Sequence, residues 1–228
     1  MRTIHLLRNF ALLLMLVSCS DPSQRTGNVG FEYFPLQTGQ FVELDVSRTN
    51  YQRFQPDETI RYLTRETIGD SFMNSDSERV FNIKYFSKRP SQDWKQDSIG
   101  VQLRTKDKIL AQEGGKTIVR MRLPVSNGLR WNGNLLNNQN ERIFEASRVG
   151  EPHSDTYLSF PNTITIIRQD DSTLLSRNRY IEIYARDVGL IRRERIYLQY
   201  CYTADCLGKG VINSGWREIS IIQNHGKQ

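Results

Sequence analysis

Along most of this chain apolar side chains return at every second residue, and a two-residue period belongs to one kind of backbone. Val42, Leu44 and Val46 alternate with Glu43, Asp45 and Ser47; Phe81, Ile83 and Tyr85 keep the same step; Ile99, Val101 and Leu103 alternate with Gly100, Gln102 and Arg104. Thr117, Val119, Met121 and Leu123 share one side, with Arg120 and Arg122 on the other. Successive side chains of an extended strand point to opposite faces. The pattern therefore marks strands with one buried and one wet face, the habit of antiparallel sheets. No stripe of 3.6-residue period is equally persistent. The expected fold is mainly β: a curved antiparallel sheet, a half-barrel or open barrel, with few short helices.

The punctuation agrees. Pro56, Pro90, Pro124 and Pro161 are placed between the alternating runs, because proline has no N–H to give to a ladder. "QEGGKT" (Gln112 to Thr117) predicts a hairpin turn, its two glycines supplying positive φ. Ser126 to Asn140, rich in Asn and Gly, predicts a long connection with Trp131 as a lid over the core. From Arg179 to Cys201 the sequence predicts a buried hairpin. Tyr180 to Tyr184 forms one strand, "ARDVG" the turn with Gly189 at its bend, and Ile196, Leu198 and Tyr200 one face of the return strand.

The amino terminus gives an address. Arg2, His5 and Arg8 precede an apolar run, Phe10 to Val17, that stops at Ser18-Cys19. A spanning helix needs about 20 apolar residues, so this shorter run reads as a signal peptide. "LVSC" (Leu16 to Cys19) resembles the lipobox of bacterial lipoproteins. That resemblance implies that the Cys19 thiol carries diacylglycerol, that residues 1–18 are removed, and that the new amino terminus is acylated. At about 0.8 kcal/mol per buried CH₂, several acyl chains hold a domain on a bilayer. In some Gram-negative families an aspartate directly after the cysteine retains the protein at the inner membrane; Ser20 stands there, which points to the outer membrane. The expected organisation is a signal peptide at 1–18, a flexible tether at 19–32 ("SDPSQRTGNVG" being polar with Pro and Gly), and a single β domain at 33–228.

Losing residues 1–18 removes Arg2 and Arg8 from 31 Lys+Arg and nothing from 25 Asp+Glu, so the net charge falls from +6 to +4. The cations are spread along the chain with carboxylates between them, which reads as a solvated face. Contact with anionic head groups fits a tethered protein; nucleic acid does not. Cys201 and Cys206, in "CYTADC", suit a small structural disulfide in an oxidising compartment. A zinc site would want more partners than His153 and His225 offer, and a redox pair would be spaced more closely. No cofactor or metal is expected.

Three segments, "YARDVGLIRRE" (Tyr184 to Glu194), "FPNTITIIRQ" (Phe160 to Gln169) and "LPVSNGLRW" (Leu123 to Trp131), resemble a pattern in uncharacterised bacterial envelope proteins. These look like the curved half-barrel of periplasmic lipoprotein carriers and related lipid-binding lipoproteins. The resemblance spans roughly Leu123 to Tyr200 and implies fold rather than a set of functional residues; such turns often carry Pro-Gly where Arg186-Asp187 stands here. Catalytic signatures are missing, "HSD" (His153 to Asp155) reads as a polar loop, and Asp170-Asp171 as a solvated turn. The chain is therefore expected not to be an enzyme. Two readings follow: a tethered binding module for a lipid or other apolar ligand on the concave face, or a structural lipoprotein that holds another envelope protein.

Overall fold

The computed structural model describes residues 30–228, so the signal peptide, Cys19 and residues 19–29 of the expected tether lie outside the described residues. Twelve strands follow one another: β1 (Gln40–Gln52), β2 (Glu58–Met73), β3 (Arg79–Lys88), β4 (Lys95–Arg104), β5 (Lys108–Glu113), β6 (Lys116–Arg122), β7 (Arg130–Asn132), β8 (Ile143–Ser154), β9 (Ser159–Ser172), β10 (Ser176–Ala185), β11 (Gly189–Tyr200) and β12 (Ile212–Lys227). They form one antiparallel sheet in the order β6-β5-β4-β3-β2-β1-β12-β11-β10-β9-β8-β7. Two meanders are thus joined where β1 pairs with β12, and the edge strands β6 and β7 are consecutive in sequence. These edges meet without a ladder. The Val119 N–H donates to the Gly133 carbonyl at 2.9 Å, and the Trp131 indole N–H to the Val119 carbonyl at 2.8 Å. The result is a nearly closed barrel with one unsealed seam, the expected class carried almost to closure.

The register decides which side chains face the interior. Val42, Leu44 and Val46 of β1 stand opposite Glu66, Thr64 and Tyr62 of β2, and Leu44 stands opposite Ile222 of β12. At one end the interior is apolar and filled: Leu44, Ile164, Ile166, Ile222 and Tyr184 are fully buried. Burying each such side chain contributes about 1.5–3 kcal/mol. A 3-10 turn, Phe31–Tyr33, closes this end with Phe34, whose ring lies 4.3 Å from that of Tyr184. Gly30 is buried beside Leu123 and Val125, and the Asp187 N–H donates to the Glu32 carbonyl. Residues 30–32 therefore belong to the barrel rather than to the tether that the sequence places at 19–32.

At the other end the wall is uneven. β4 pairs with β5 only through Gln102–Arg104, which leaves residues 95–101 without a ladder partner on that side among the described residues. The pairing of β8 with β9 reaches only to Glu145 opposite Ile167, so residues 168–172 of β9 have no ladder partner on the β8 side among the described residues. Between these two free edges the short β5–β6 hairpin forms a low sill, turned by Gly114 and Gly115 with φ of 55° and 77°. A side window results.

Two details of the sequence reading change. Pro161 lies inside β9, where the register with β8 slips and a proline costs no ladder bond. On β4 the period is as read, but Gly100 and Gln102 are the buried set and Ile99 is 58% exposed. The interior beside β4 is polar, so the apolar set faces out. The outer surface elsewhere carries ion pairs, such as Arg179 between Asp170 and Glu194.

Candidate functional site

Above the apolar layer the inward positions become charged. Glu66 stands opposite Tyr85, Glu182 opposite Arg193, Tyr180 opposite Arg195, and Glu218 opposite both Arg48 and Arg195. Two further arginines of this layer stand at β-bulges. Ile109 and Leu110 of β5 pair with Met121 and Val119, leaving Arg120 as the extra residue; Tyr180 and Ile181 of β10 pair with Gln169 and Ile167, leaving Arg168 extra. A bulge bends its strand and re-aims a side chain. Arg120, expected on the outer face of β6, is turned into the barrel with 7% exposure.

The network is dense. Glu182, 1% exposed, accepts from Arg193 Nε at 3.0 Å, the Tyr180 hydroxyl at 3.0 Å, the Tyr184 hydroxyl at 2.9 Å and Arg168 Nη1 at 3.4 Å. Glu113 accepts from Arg120 Nε at 2.9 Å and from Arg168 Nη1 and Nη2 at 3.2 and 2.9 Å. Arg193 Nη2 donates to Glu66 at 3.2 Å. Burial alone would raise the Glu113 carboxyl, but Arg120 and Arg168 overcome it and hold the group at about 2. Glu182 is likewise held well below the usual carboxylate range, burial being outweighed by Arg168, Arg193 and Arg120. Burial, helped by Glu66, pushes the Tyr85 phenol up to about 12 and keeps it a neutral donor.

Between this layer and the window lies a cavity of about 720 Å³, walled by Tyr85, Gly100, Arg120, Tyr180, Arg193 and Arg195 among others. That volume falls within the range of small-molecule sites. Several donors face it unused. Arg120 gives only its Nε to a described residue, the Tyr85 hydroxyl has no hydrogen-bond partner among the described residues, and neither have Nη1 and Nη2 of Arg195, whose buried Nε stands 3.7 Å from Glu218. Glu218 is already shared with Arg48 at 3.4 Å and the Tyr62 hydroxyl at 3.1 Å. In the inner layer Arg48, Arg120, Arg168, Arg193 and Arg195 face Glu66, Glu113, Glu182 and Glu218, one cation in excess.

The residues singled out from sequence lie elsewhere. Cys201 and Cys206 are joined by a disulfide, Cα atoms 5.8 Å apart, in the β11–β12 loop at the open end. His153 Nε2 and Asp155 Oδ2 are 2.7 Å apart, because residues two apart on a strand share a face, and the other Asp155 oxygen pairs with Arg192. "HSD", read from sequence as a polar loop, is thus the end of β8, with Asp155 directly after it. Asp170 belongs to β9 rather than to a turn and pairs with Arg179 at 2.7 Å. The apolar concave face is filled by its own side chains, and the open space is charged. Of the cavity residues, none was named as a site from sequence; the one available signal was the arginine, glutamate and tyrosine density of "RYIEIYARDVGLIRRER".

The open end has a second character. The β1–β2, β9–β10 and β11–β12 tips touch there: the Arg53 N–H donates to Asn213, and the Tyr200 N–H to Leu175. They carry Phe54 (90% exposed), Leu174 (69%) and Tyr202 (72%).

No protein-family model matches this sequence, and no curated protein matches it. Two solved structures are similar in outline. One, from Bacteroides fragilis, is described as an exported protein with a YmcC-like fold; it has a TM-score of 0.47 and 11% identity over 85% of this chain and 98% of that one. The other, described as a lipoprotein from Parabacteroides distasonis, has a TM-score of 0.42 and 12% identity over the same shares.

Proposed function

We propose that this chain is a lipid-anchored binding module of the cell envelope, held at the outer membrane through Cys19, and that its ligand is hydrophilic and enters through the side window. The observation that carries this reading is the division of the interior. Its apolar half is packed with the barrel's own side chains, and the roughly 720 Å³ left open is walled at its base by arginine, glutamate and tyrosine, with neutral residues such as Phe86 and Ile99 among the rest of its lining. A lipid or acyl chain would have to desolvate those charges without pairing them, at a cost of several kcal/mol per ion. Native mass spectrometry of the full chain, released gently from membranes, tests the reading. A retained polar compound that is lost on denaturation is the expected result; a retained lipid inside the barrel, beyond the one on Cys19, would overturn it. The anchor has its own test: Cys19→Ser abolishes the acyl mass and moves the protein off the membrane.

One observation favours a second reading, a structural lipoprotein that holds another envelope protein. The three touching tips expose Phe54, Leu174 and Tyr202 on the side away from the chain's entry at Gly30. A photocrosslinker at residue 54 that captures one partner protein in intact cells, and loses it with Leu174→Ser, would support that reading.

A further inference from the structure

We propose that Arg120, Tyr85 and Arg195 form a seat for an anionic group, a carboxylate or a phosphate, at the base of the window cavity. The inference rests on the binding-module reading and names the chemistry its ligand must carry. Three independent features converge on it. The first is unused donor capacity. Arg120 is nine-tenths buried, yet its Nη1 and Nη2 have no acceptor among the described residues, and it lines both the large cavity and a void of about 50 Å³ on its other side. A guanidinium offers five N–H donors in a fixed fork that matches an oxyanion, and burial strengthens each bond it makes. Tyr85 adds a hydroxyl that stays protonated to about 12, and Arg195 its Nη1 and Nη2, which have no acceptor among the described residues.

The second feature is charge. The carboxylates of the layer are already engaged: Glu113 by Arg120 and Arg168, Glu182 by Arg168 and Arg193, Glu66 by Arg193. Two arginines share Glu218, which leaves the cation excess on the cavity side. An entering anion completes the balance of this layer; Asp97, the other carboxylate lining the cavity, is held by the Ser87 hydroxyl. The third is space made on purpose. Gly100 is buried in the middle of β4 with an ordinary strand φ, so backbone geometry does not require glycine there. A Cβ at that position would stand 3.2 Å from Tyr85 Cε2 and 3.3 Å from the Gln112 carbonyl. Glycine inside a strand marks a close approach, and here it keeps the Tyr85 phenol clear of the wall.

The test is isothermal titration of the full chain, purified in detergent, with inorganic phosphate and with succinate at constant ionic strength. Saturable binding of at least one is expected, and which one binds identifies the group. Arg120→Gln should weaken it at least tenfold, since it removes charge-assisted bonds, and Tyr85→Phe by a smaller factor. Arg217→Gln, on the exposed outer face of β12, should leave it unchanged. If Arg120→Gln does not fold, Gly100→Ala takes its place: it touches no charge and should weaken binding several-fold by crowding Tyr85. No saturable binding of either anion overturns the seat, as does full binding by Arg120→Gln or, in its stead, by Gly100→Ala. A native polar ligand retained by a protein that binds neither anion removes the seat and leaves the binding-module reading standing.

Discussion

Replacing Glu182 by glutamine changes no volume and removes one charge from the centre of the barrel. Glu182 Oε1 accepts from Arg193 Nε and the Tyr180 hydroxyl, and Oε2 from the Tyr184 hydroxyl and Arg168 Nη1. An amide has one acceptor oxygen, so whichever way it turns its NH₂ meets an arginine N–H that cannot accept and a tyrosine hydroxyl that must give up its bond. Arg168 and Arg193 also lose the carboxylate that they share. Breaking a buried, hydrogen-bonded ion pair by removing one partner costs about 3–5 kcal/mol. In a domain of this size each kcal/mol lowers Tm by about 2–4 °C, so Glu182→Gln should fall by roughly 6–20 °C. Urea unfolding at pH 7, followed by the fluorescence of Trp94, Trp131 and Trp216, measures the free energy directly. Glu194→Gln is the control. Its carboxylate, partly buried on the outer face, makes one 3.5 Å contact with Arg179 and accepts no hydrogen bond from a described residue, so its loss should cost about 1 kcal/mol. A loss below about 1 kcal/mol for Glu182→Gln, or equal losses for the two variants, would refute the argument that the inner network is dry and mutually dependent.

The same network sets the acid limit. Glu113 and Glu182 titrate lower in the barrel than in the unfolded chain, so their contribution is complete above the unfolded value of 4.5 and drains as pH falls towards about 2; unfolding free energy measured against pH should decline across that window. Trp131→Phe should cost about 1–2 kcal/mol by leaving the Val119 carbonyl without the indole donor, and hydrogen exchange should quicken at the β6–β7 seam before it does at the β1–β12 pairing. Gly215 has a φ of 133° and a Cβ there would collide with the Tyr197 carbonyl, so Gly215→Ala should destabilise by about 1–3 kcal/mol or more, read from the urea midpoint.

The fold was legible because its signal is repeated. Every long strand restates the two-residue period, and turn residues such as Gly114, Gly115 and Gly189 mark the reversals, so one misread segment does not change the class. The site was not legible, and the bulges give the reason. Arg120 is the extra residue at a register slip, and a slip is a relation between strands that neither strand carries in its own period; Arg168, at the other slip, keeps step with Ile164 and Ile166, but nothing in that step marks a charged layer. Read by alternation alone, Arg120 belongs with Arg122 in solvent. On β4 the period was correct and the face was reversed. The rule that places apolar residues inside presumes an apolar interior, whereas Gly100 and Gln102 face a charged one. The apolar end had no such ambiguity, because Val42, Leu44 and Val46 are both the alternating set and the buried set.

The placement of the charges also bears on why the barrel is cut low on one side. A buried ion network is weak evidence for stability, since well-packed apolar groups of equal volume do as well or better. The charged layer here lies directly beneath the stretch where β5 to β8 stop short of β4 and β9, and not at the closed end beneath Phe34. Had these charges served only to fix the strand register, they would serve as well under a complete wall. A low wall above apolar residues would expose them to water, and a full wall above the arginines would leave their spare donors without an acceptor. Placed together, the short hairpin and the charged layer satisfy both constraints, because solvent or an anionic ligand reaches Arg120, Tyr85 and Arg195 through the window that the missing wall provides. The free edges of β4 and β9 are thus the geometric condition for the cavity, and lengthening the β5–β6 hairpin to pair with residues 95–101 would close it.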